Sequence, residues 1–236
     1  MDSTHSVTPT AAGLELLLFD FCPYGQRAYI AALQGEVPMR LTVLDPDKLP
    51  ENFAELSPLG YVPLLQVAGR EVLFESAVIS EYLASQAKQR LLPEDPLALA
   101  RMRAWIEFGS ACQGGLMQLL QAEDRATCQQ RADGLLNRMD HLAGTLTGGG
   151  PYHSGSEFSL IDAAYAPFFQ RLRALTRVSG VLSEERLPGG IRDWMDALEN
   201  TPSVQNSIIG DFDQVFHGFI ARKAAHGHVY QTLVGQ

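Results

Sequence analysis

The chain has 236 residues, 46% hydrophobic and 19% charged, with 18 Lys and Arg against 27 Asp and Glu and a net charge of −9. That is the composition of a soluble globular protein, long enough to bury a core without disulfides or metals. The acidic balance argues against a nucleic-acid partner, which needs a basic face, but it does not exclude an anionic small ligand, which reads local rather than net charge.

Only three cysteines occur, Cys22, Cys112 and Cys128, with no C-x-x-C pair, and the six histidines are scattered. An odd, sparse set of thiols is no disulfide framework and fits a reducing compartment, and no metal site is expected. The opening MDSTHSVTPTAAG has neither the basic region nor the apolar core of a signal peptide. No apolar run approaches the roughly 18–20 residues of a membrane span. A soluble, cytoplasmic protein with no membrane association is expected.

In chain order, residues 1–13 read as a flexible arm. Leu14 to Asp20 is short and almost wholly apolar, the pattern of a strand buried on both faces. Cys22-Pro23 leads into a helix over Gln26–Leu33, since proline is favoured in a first turn, and Gly35 ends it. Met39–Leu44 is the next strand, and residues 50–57 make at most a short helix. Gly60 to Val67 reads as a strand entered through a proline, and Ala68 to Glu71 as a hairpin into Val72-Leu73-Phe74. Ser76 opens a helix with Val78, Ile79, Tyr82 and Leu83 on one face. This β-α-β-(α)-β-β-α order is the order of a thioredoxin-like domain. Leu91 to Leu97 reads as an extended linker, and after it the strand signal stops. Helical spacing covers 97–121, 126–146, a stretch from Leu160 with a wide apolar stripe, and shorter stretches near 188–199 and 211–223. Ala225 to His228 reads as a frayed end. The fold class expected is α/β plus all-α: a thioredoxin-like unit over 14–90, a linker over 91–97 and an all-helical unit over 98–236.

Three places carry chemistry. Cys22 stands where a strand ends and a helix begins, and the free N–H groups and positive end of a helix stabilise a thiolate. Gly25 occupies the position of the second cysteine of a dithiol motif, so a redox Cys22 needs an external thiol to resolve it. Val62-Pro63 opens a strand; a cis bond there would turn the Val62 N–H and C=O toward an extended, peptide-like ligand. Glu75-Ser76 lies at a strand-to-helix junction. Ser76 is a natural N-cap, and the helix start suits a carboxylate while Glu75 suits an ammonium.

In this order and spacing the sequence resembles the glutathione transferases, and within them the cysteine-type omega group. The resemblance rests on Cys22-Pro23-Tyr24-Gly25-Gln26-Arg27, Val62-Pro63, Glu75-Ser76, Leu91-Leu92-Pro93-Glu94-Asp95-Pro96, and Ser159-Leu160-Ile161-Asp162 with Pro167-Phe168-Phe169. It implies glutathione as co-substrate, held in mixed disulfide by Cys22. Val62 would bond its cysteinyl backbone beside a cis Pro63, Glu75 and Ser76 would hold its γ-glutamyl end, and Tyr24 would lie close to it. The family's lysine near the glycyl carboxylate is replaced by Leu49, leaving Lys48 as the nearest substitute. A small hydrophobic or disulfide second substrate would sit between the units, with Trp105, Phe108, Tyr165, Phe168 and Phe169 as candidates and Phe212, Phe216 and Phe219 able to close the cleft. Cys112 and Cys128 read as core. A homodimer is implied. The activity implied is thiol transfer or reduction, with dehydroascorbate or an α-glutathionyl ketone as substrate classes. Glutathione conjugation and a non-catalytic regulatory relative are the alternatives.

Overall fold

The computed structural model describes residues 13–234. The arm expected over 1–13 lies, apart from Gly13, outside the described residues. Strand β1 (Leu14–Leu18) leads to α1 (Pro23–Gln34), β2 (Arg40–Val43), α2 (Phe53–Leu56), β3 (Leu64–Val67), β4 (Glu71–Leu73) and α3 (Ser76–Ser85). The helices that follow are α4 (Pro96–Leu120), α5 (Arg125–Ala143), α6 (Leu160–Val178), α7 (Gly189–Glu199), α8 (Pro202–Gln205), α9 (Phe212–Lys223) and α10 (His228–Val234). The fold is a thioredoxin-like sheet with helices, followed by a helical region.

The sheet has the order β2-β1-β3-β4, with β1 parallel to β2 and antiparallel to β3, and β3 antiparallel to β4. The apolar run of β1 follows from its central place. Leu14, Leu16 and Leu18 pack with Ala28, Ala32, Ile79 and Leu83 of α1 and α3 on one face. Leu17 packs with Phe53, Val62 and Leu64 on the other. Neighbouring side chains of a strand point to opposite faces, so a strand covered on both sides loses the alternation of an exposed one.

Four expectations are corrected. Gly60–Pro63 is not strand, because β3 starts only at Leu64, after the cis Val62–Pro63 bond. On α3 the buried face is Ser76, Ile79, Ser80, Leu83 and Ala84, whereas Val78 is 55% exposed and Tyr82 half-buried. Helix α5 stops at Ala143 rather than 146. The tail does not fray at 225–228. The His228 N–H donates to Ala122 O at 2.7 Å, Val229 is buried, and Gly227 lies so close to Leu120 that a β-carbon would fall 2.0 Å from its carbonyl oxygen. Only glycine permits that approach, and it seats α10.

In the helical region α6 is central, packing on α1, α4 and α7. The Asp162 carboxylate accepts from the Ser159 N–H and hydroxyl at 2.8 and 2.7 Å, from the His153 N–H at 2.9 Å and from Trp194 Nε1 at 2.8 Å. The Ser159–Asp162 pair anticipated from sequence is thus the hub of a buried network, as a buried carboxylate needs. Cys112 and Cys128 are fully buried, as expected of core thiols. Among the described residues no helix is long and apolar enough to cross a membrane, and no three His, Cys, Asp or Glu side chains gather where they could hold a metal.

Candidate functional site

A cleft of about 700 Å³ opens where the start of α1, the Ser57–Pro63 loop, the start of α3 and the middle of α4 meet, and it is lined by Cys22, Tyr24, Arg27, Val62, Pro63 and Glu75, together with Phe19, Phe74, Val78, Glu107 and Ser110. Cys22 is the N-cap of α1, in extended backbone conformation (φ −73°, ψ 112°), with Pro23 in the first helical position. The Gly25 N–H donates to its sulfur at 3.3 Å, and the thiol makes a long contact to Val62 O at 3.8 Å. A side-chain cap on a first-turn N–H is ordinarily an oxygen; here sulfur takes the place.

Burial pushes the Cys22 thiol above its ordinary pKa, while the N–H groups of Gly25 and Tyr24 and the guanidinium groups of Arg171 and Arg27 pull it down by less. This corrects the expectation of a lowered pKa. The helix terminus acts in the foreseen direction, but desolvation at the floor of a cleft outweighs it. The raised pKa lowers the thiolate fraction at neutral pH and raises the intrinsic nucleophilicity of the thiolate that forms.

Ser76 is buried, in the first turn of α3, and the N-cap is Glu75. Its hydroxyl does not cap the helix but accepts from Arg27 Nε at 2.9 Å and Nη2 at 2.6 Å. Arg27 also donates through Nη1 to Ser110 Oγ at 3.0 Å, tying α1 to α3 and α4, and its guanidinium lies 5.3 Å from the Tyr24 ring. Arg27 occupies the lone pairs of the Ser76 hydroxyl and leaves its O–H to donate, so that O–H and the first-turn N–H groups of α3 are the donors that can receive an anion, backed by the Arg27 charge. Glu75 has φ +66° and ψ 110°, a left-handed backbone that a residue with a β-carbon adopts at a cost. It lines the cleft with its side chain exposed.

The other expected residues divide. Lys48 is exposed on the loop after β2 and is not part of the cleft lining. Tyr165, Phe168 and Phe169 are buried at 0–2% and pack on one another, Tyr165 and Phe169 also on Trp194; they are core, not cleft. The stripe turns inward because α6 is enclosed by neighbouring helices. Trp105 lines a separate groove of about 490 Å³ beside the linker, and half-buried Phe108 meets its ring edge-on at 5.1 Å. Phe212, Phe216 and Phe219 do not close the cleft. They pack around the ring of Phe21, at centroid distances of 5.7, 5.5 and 5.0 Å.

Sequence reasoning assigns no role to Phe19, Arg27, Phe74, Glu107 or Ser110. Arg27 stands within the Cys22 motif, but its partner Ser76 lies forty-nine residues further on, which the motif does not signal. Glu107 and Ser110 are three apart on one face of α4, which says nothing of what that face meets.

A family model described as "Glutathione S-transferase, N-terminal domain" matches residues 21–86. Glutathione S-transferase omega-1 of Sus scrofa is 28% identical over 78% of this chain and 76% of its own length. Glutathione S-transferase 3 of Zea mays is 30% identical over 73% of this chain and 80% of its own. The crystal structure of glutathione transferase Omega 3C from Trametes versicolor superposes with a TM-score of 0.78 at 26% identity, covering 86% of this chain and 92% of that one.

Proposed function

The chain belongs to the glutathione S-transferase family, and from that premise we propose that it is a glutathione-dependent thiol transferase or reductase working through a Cys22–glutathione mixed disulfide. The observation that carries the reading is the half-buried Cys22 sulfur at the floor of the cleft, bonded to a helix N-terminus and facing the Val62 carbonyl.

In the first step the Cys22 thiolate attacks the glutathione sulfur of a mixed disulfide R–S–S–G. The S–S bond breaks, R–S⁻ leaves and takes a proton, and Cys22–S–S–G forms. A second glutathione, as thiolate, attacks the glutathione sulfur of that disulfide, releasing oxidised glutathione and the Cys22 thiolate. Both steps put glutathione against the cis Val62–Pro63 turn, where the Val62 backbone pairs with the cysteinyl amide as an added strand does. The γ-glutamyl carboxylate meets the N–H groups opening α3, near Arg27, and its ammonium meets Glu75. The ring of Tyr24 and those of Phe19 and Phe74 supply an apolar wall for the second substrate. Lys48 is left without a role. Dehydroascorbate and α-glutathionyl ketones are the second-substrate classes of this reading, residues 14–90 its glutathione-binding unit and 98–236 its helical unit. A cytoplasmic homodimer belongs to it as well.

Conjugation of glutathione to an electrophile would need a good hydrogen-bond donor for the glutathione thiol, and a cysteine S–H is a weak one. The test is reduction of a small glutathione mixed disulfide by wild-type and Cys22→Ala protein. Loss of turnover in the variant is expected, and full turnover in it would overturn the mechanism.

A further inference from the structure

Arg171 of α6 is 3% exposed. Its Nη2 donates to the Phe21 carbonyl at 2.9 Å, and its Nη1 to Gln26 Oε1 and to Pro167 O, both at 2.8 Å. The guanidinium lies 4.1 Å from the centroid of the Phe21 ring. Phe21 precedes Cys22 and Gln26 follows it by one helical turn, so one side chain from the helical region grips the Cys22 loop at both ends. Gln26 is itself fixed, donating to Gln170 Oε1 at 2.8 Å and Ser207 Oγ at 3.0 Å.

Among the described residues the hydrogen-bond partners of Arg171 are two backbone carbonyls and one side-chain amide, with no carboxylate among them, and its Nε has no partner. A buried guanidinium is normally matched by an anion, because an uncompensated buried charge costs several kcal/mol. Every acceptor it has is neutral. Cys22 follows Phe21 directly, and the Arg171 charge favours its thiolate form, as that thiolate in turn favours the charged guanidinium.

We propose that Arg171 is a positioning residue for Cys22, holding its loop from the helical region and supplying the counter-charge of the thiolate. The other charged and titratable groups facing the sulfur are Arg27 and Tyr24 on α1, with Glu75 at the start of α3 and Glu107 on α4 acting in turn on those two. Helix α9 meets Phe21 with aromatic rings. Arg27 spans to Ser76 and Ser110 across the cleft, so its charge is shared with the α3 start. Arg171 places its donors on Phe21 and Gln26, on either side of Cys22, and on Pro167 of its own helix. Burial lowers its pKa to about 9, which leaves it protonated at neutral pH.

The inference rests on Cys22 being the nucleophile, but its test needs no glutathione. Cys22 would be alkylated with neutral iodoacetamide and with anionic iodoacetate, followed by intact mass, in wild type, Arg171→Lys and Arg171→Met, with Cys22→Ala as blank. A local positive charge makes the iodoacetate-to-iodoacetamide rate ratio in wild type larger than for free cysteine. Arg171→Met should cut that ratio about threefold or more and move the ultraviolet thiolate titration of Cys22 to higher pH; Arg171→Lys should restore most of both. A change confined to packing would alter both rates alike and leave the ratio fixed. Equal ratios in all three proteins would overturn the proposal, as would a wild-type ratio no larger than that of free cysteine, which needs no variant to fold. If Cys22→Ala kept full turnover while these shifts appeared, the mechanism of turnover would fall and the Arg171–Cys22 coupling would stand.

Discussion

A β-carbon placed on Gly25 would stand 2.7 Å from Cβ of Leu18, because α1 runs directly across β1 at that point. The position that would hold the second thiol of a dithiol motif therefore admits no side chain. The monothiol character of the site is set by helix-to-strand packing, and an external thiol must resolve any disulfide on Cys22. Gly25→Ala and Gly25→Cys should each destabilise the fold by about 1–3 kcal/mol through overpacking, read as a lowered midpoint in urea unfolding. The thiol introduced by Gly25→Cys should not form a disulfide with Cys22. Unchanged stability of Gly25→Cys with dithiol redox behaviour would contradict this.

The pH dependence follows from the direction in which Cys22 is shifted. Burial holds its pKa above that of an ordinary cysteine, and the reactive form is the deprotonated one. Single-turnover formation of the mixed disulfide should therefore rise about tenfold per pH unit through the neutral range, with no plateau by about pH 8.5, where a free thiol is half ionised. A plateau near neutrality would mean that the helix terminus and the two arginines outweigh burial.

At Glu75 the backbone and the side chain pull in different directions. Its φ of +66° costs a residue with a β-carbon, while its carboxylate faces the cleft. Glu75→Gly should relieve about 1 kcal/mol of strain and raise the melting temperature by a few degrees at most. It should also weaken glutathione binding, read by calorimetry as a higher Kd. Glu75→Gln should weaken binding without the gain in stability. Loss of stability in Glu75→Gly would show that the strained backbone is held by more than the cleft needs.

The network around Asp162 gives a purely structural prediction. Asp162→Ala leaves the Ser159, His153 and Trp194 donors unpaired in the core. The loss should be about 3 kcal/mol or more, with the rate of Cys22 alkylation per folded molecule unchanged.

The parts of this site legible in the sequence are those encoded by neighbours along the chain. Cys22 before Pro23, Val62 before Pro63, and Ser159 three residues before Asp162 each state a local geometry that backbone chemistry dictates. The cap of α3 lies one residue earlier than the sequence suggests, because Ser76 has the right chemistry for an N-cap and only Arg27, forty-nine positions away, claims its hydroxyl. The aromatic stripe of α6 identifies a helix with a wide apolar face, but periodicity does not distinguish a face turned to a cleft from one enclosed by other helices. Arg171 is invisible in the sequence for the same reason: its partner Phe21 is 150 residues distant. The last helix leaves little trace because α10 is a single short segment, seated by the Gly227 approach to Leu120, the His228 N–H bond to Ala122 O and the buried Val229.

The most direct test of the mixed disulfide is the intact mass of the protein after incubation with oxidised glutathione, before and after dithiothreitol. Cys112 and Cys128 are fully buried, and burial raises the pKa of Cys112 to about 11, so neither competes. Wild type should gain a single glutathionyl group and lose it on reduction, and Cys22→Ala should gain none. An adduct of the same size and yield on Cys22→Ala, or no adduct on wild type, would contradict Cys22 as the residue that carries glutathione.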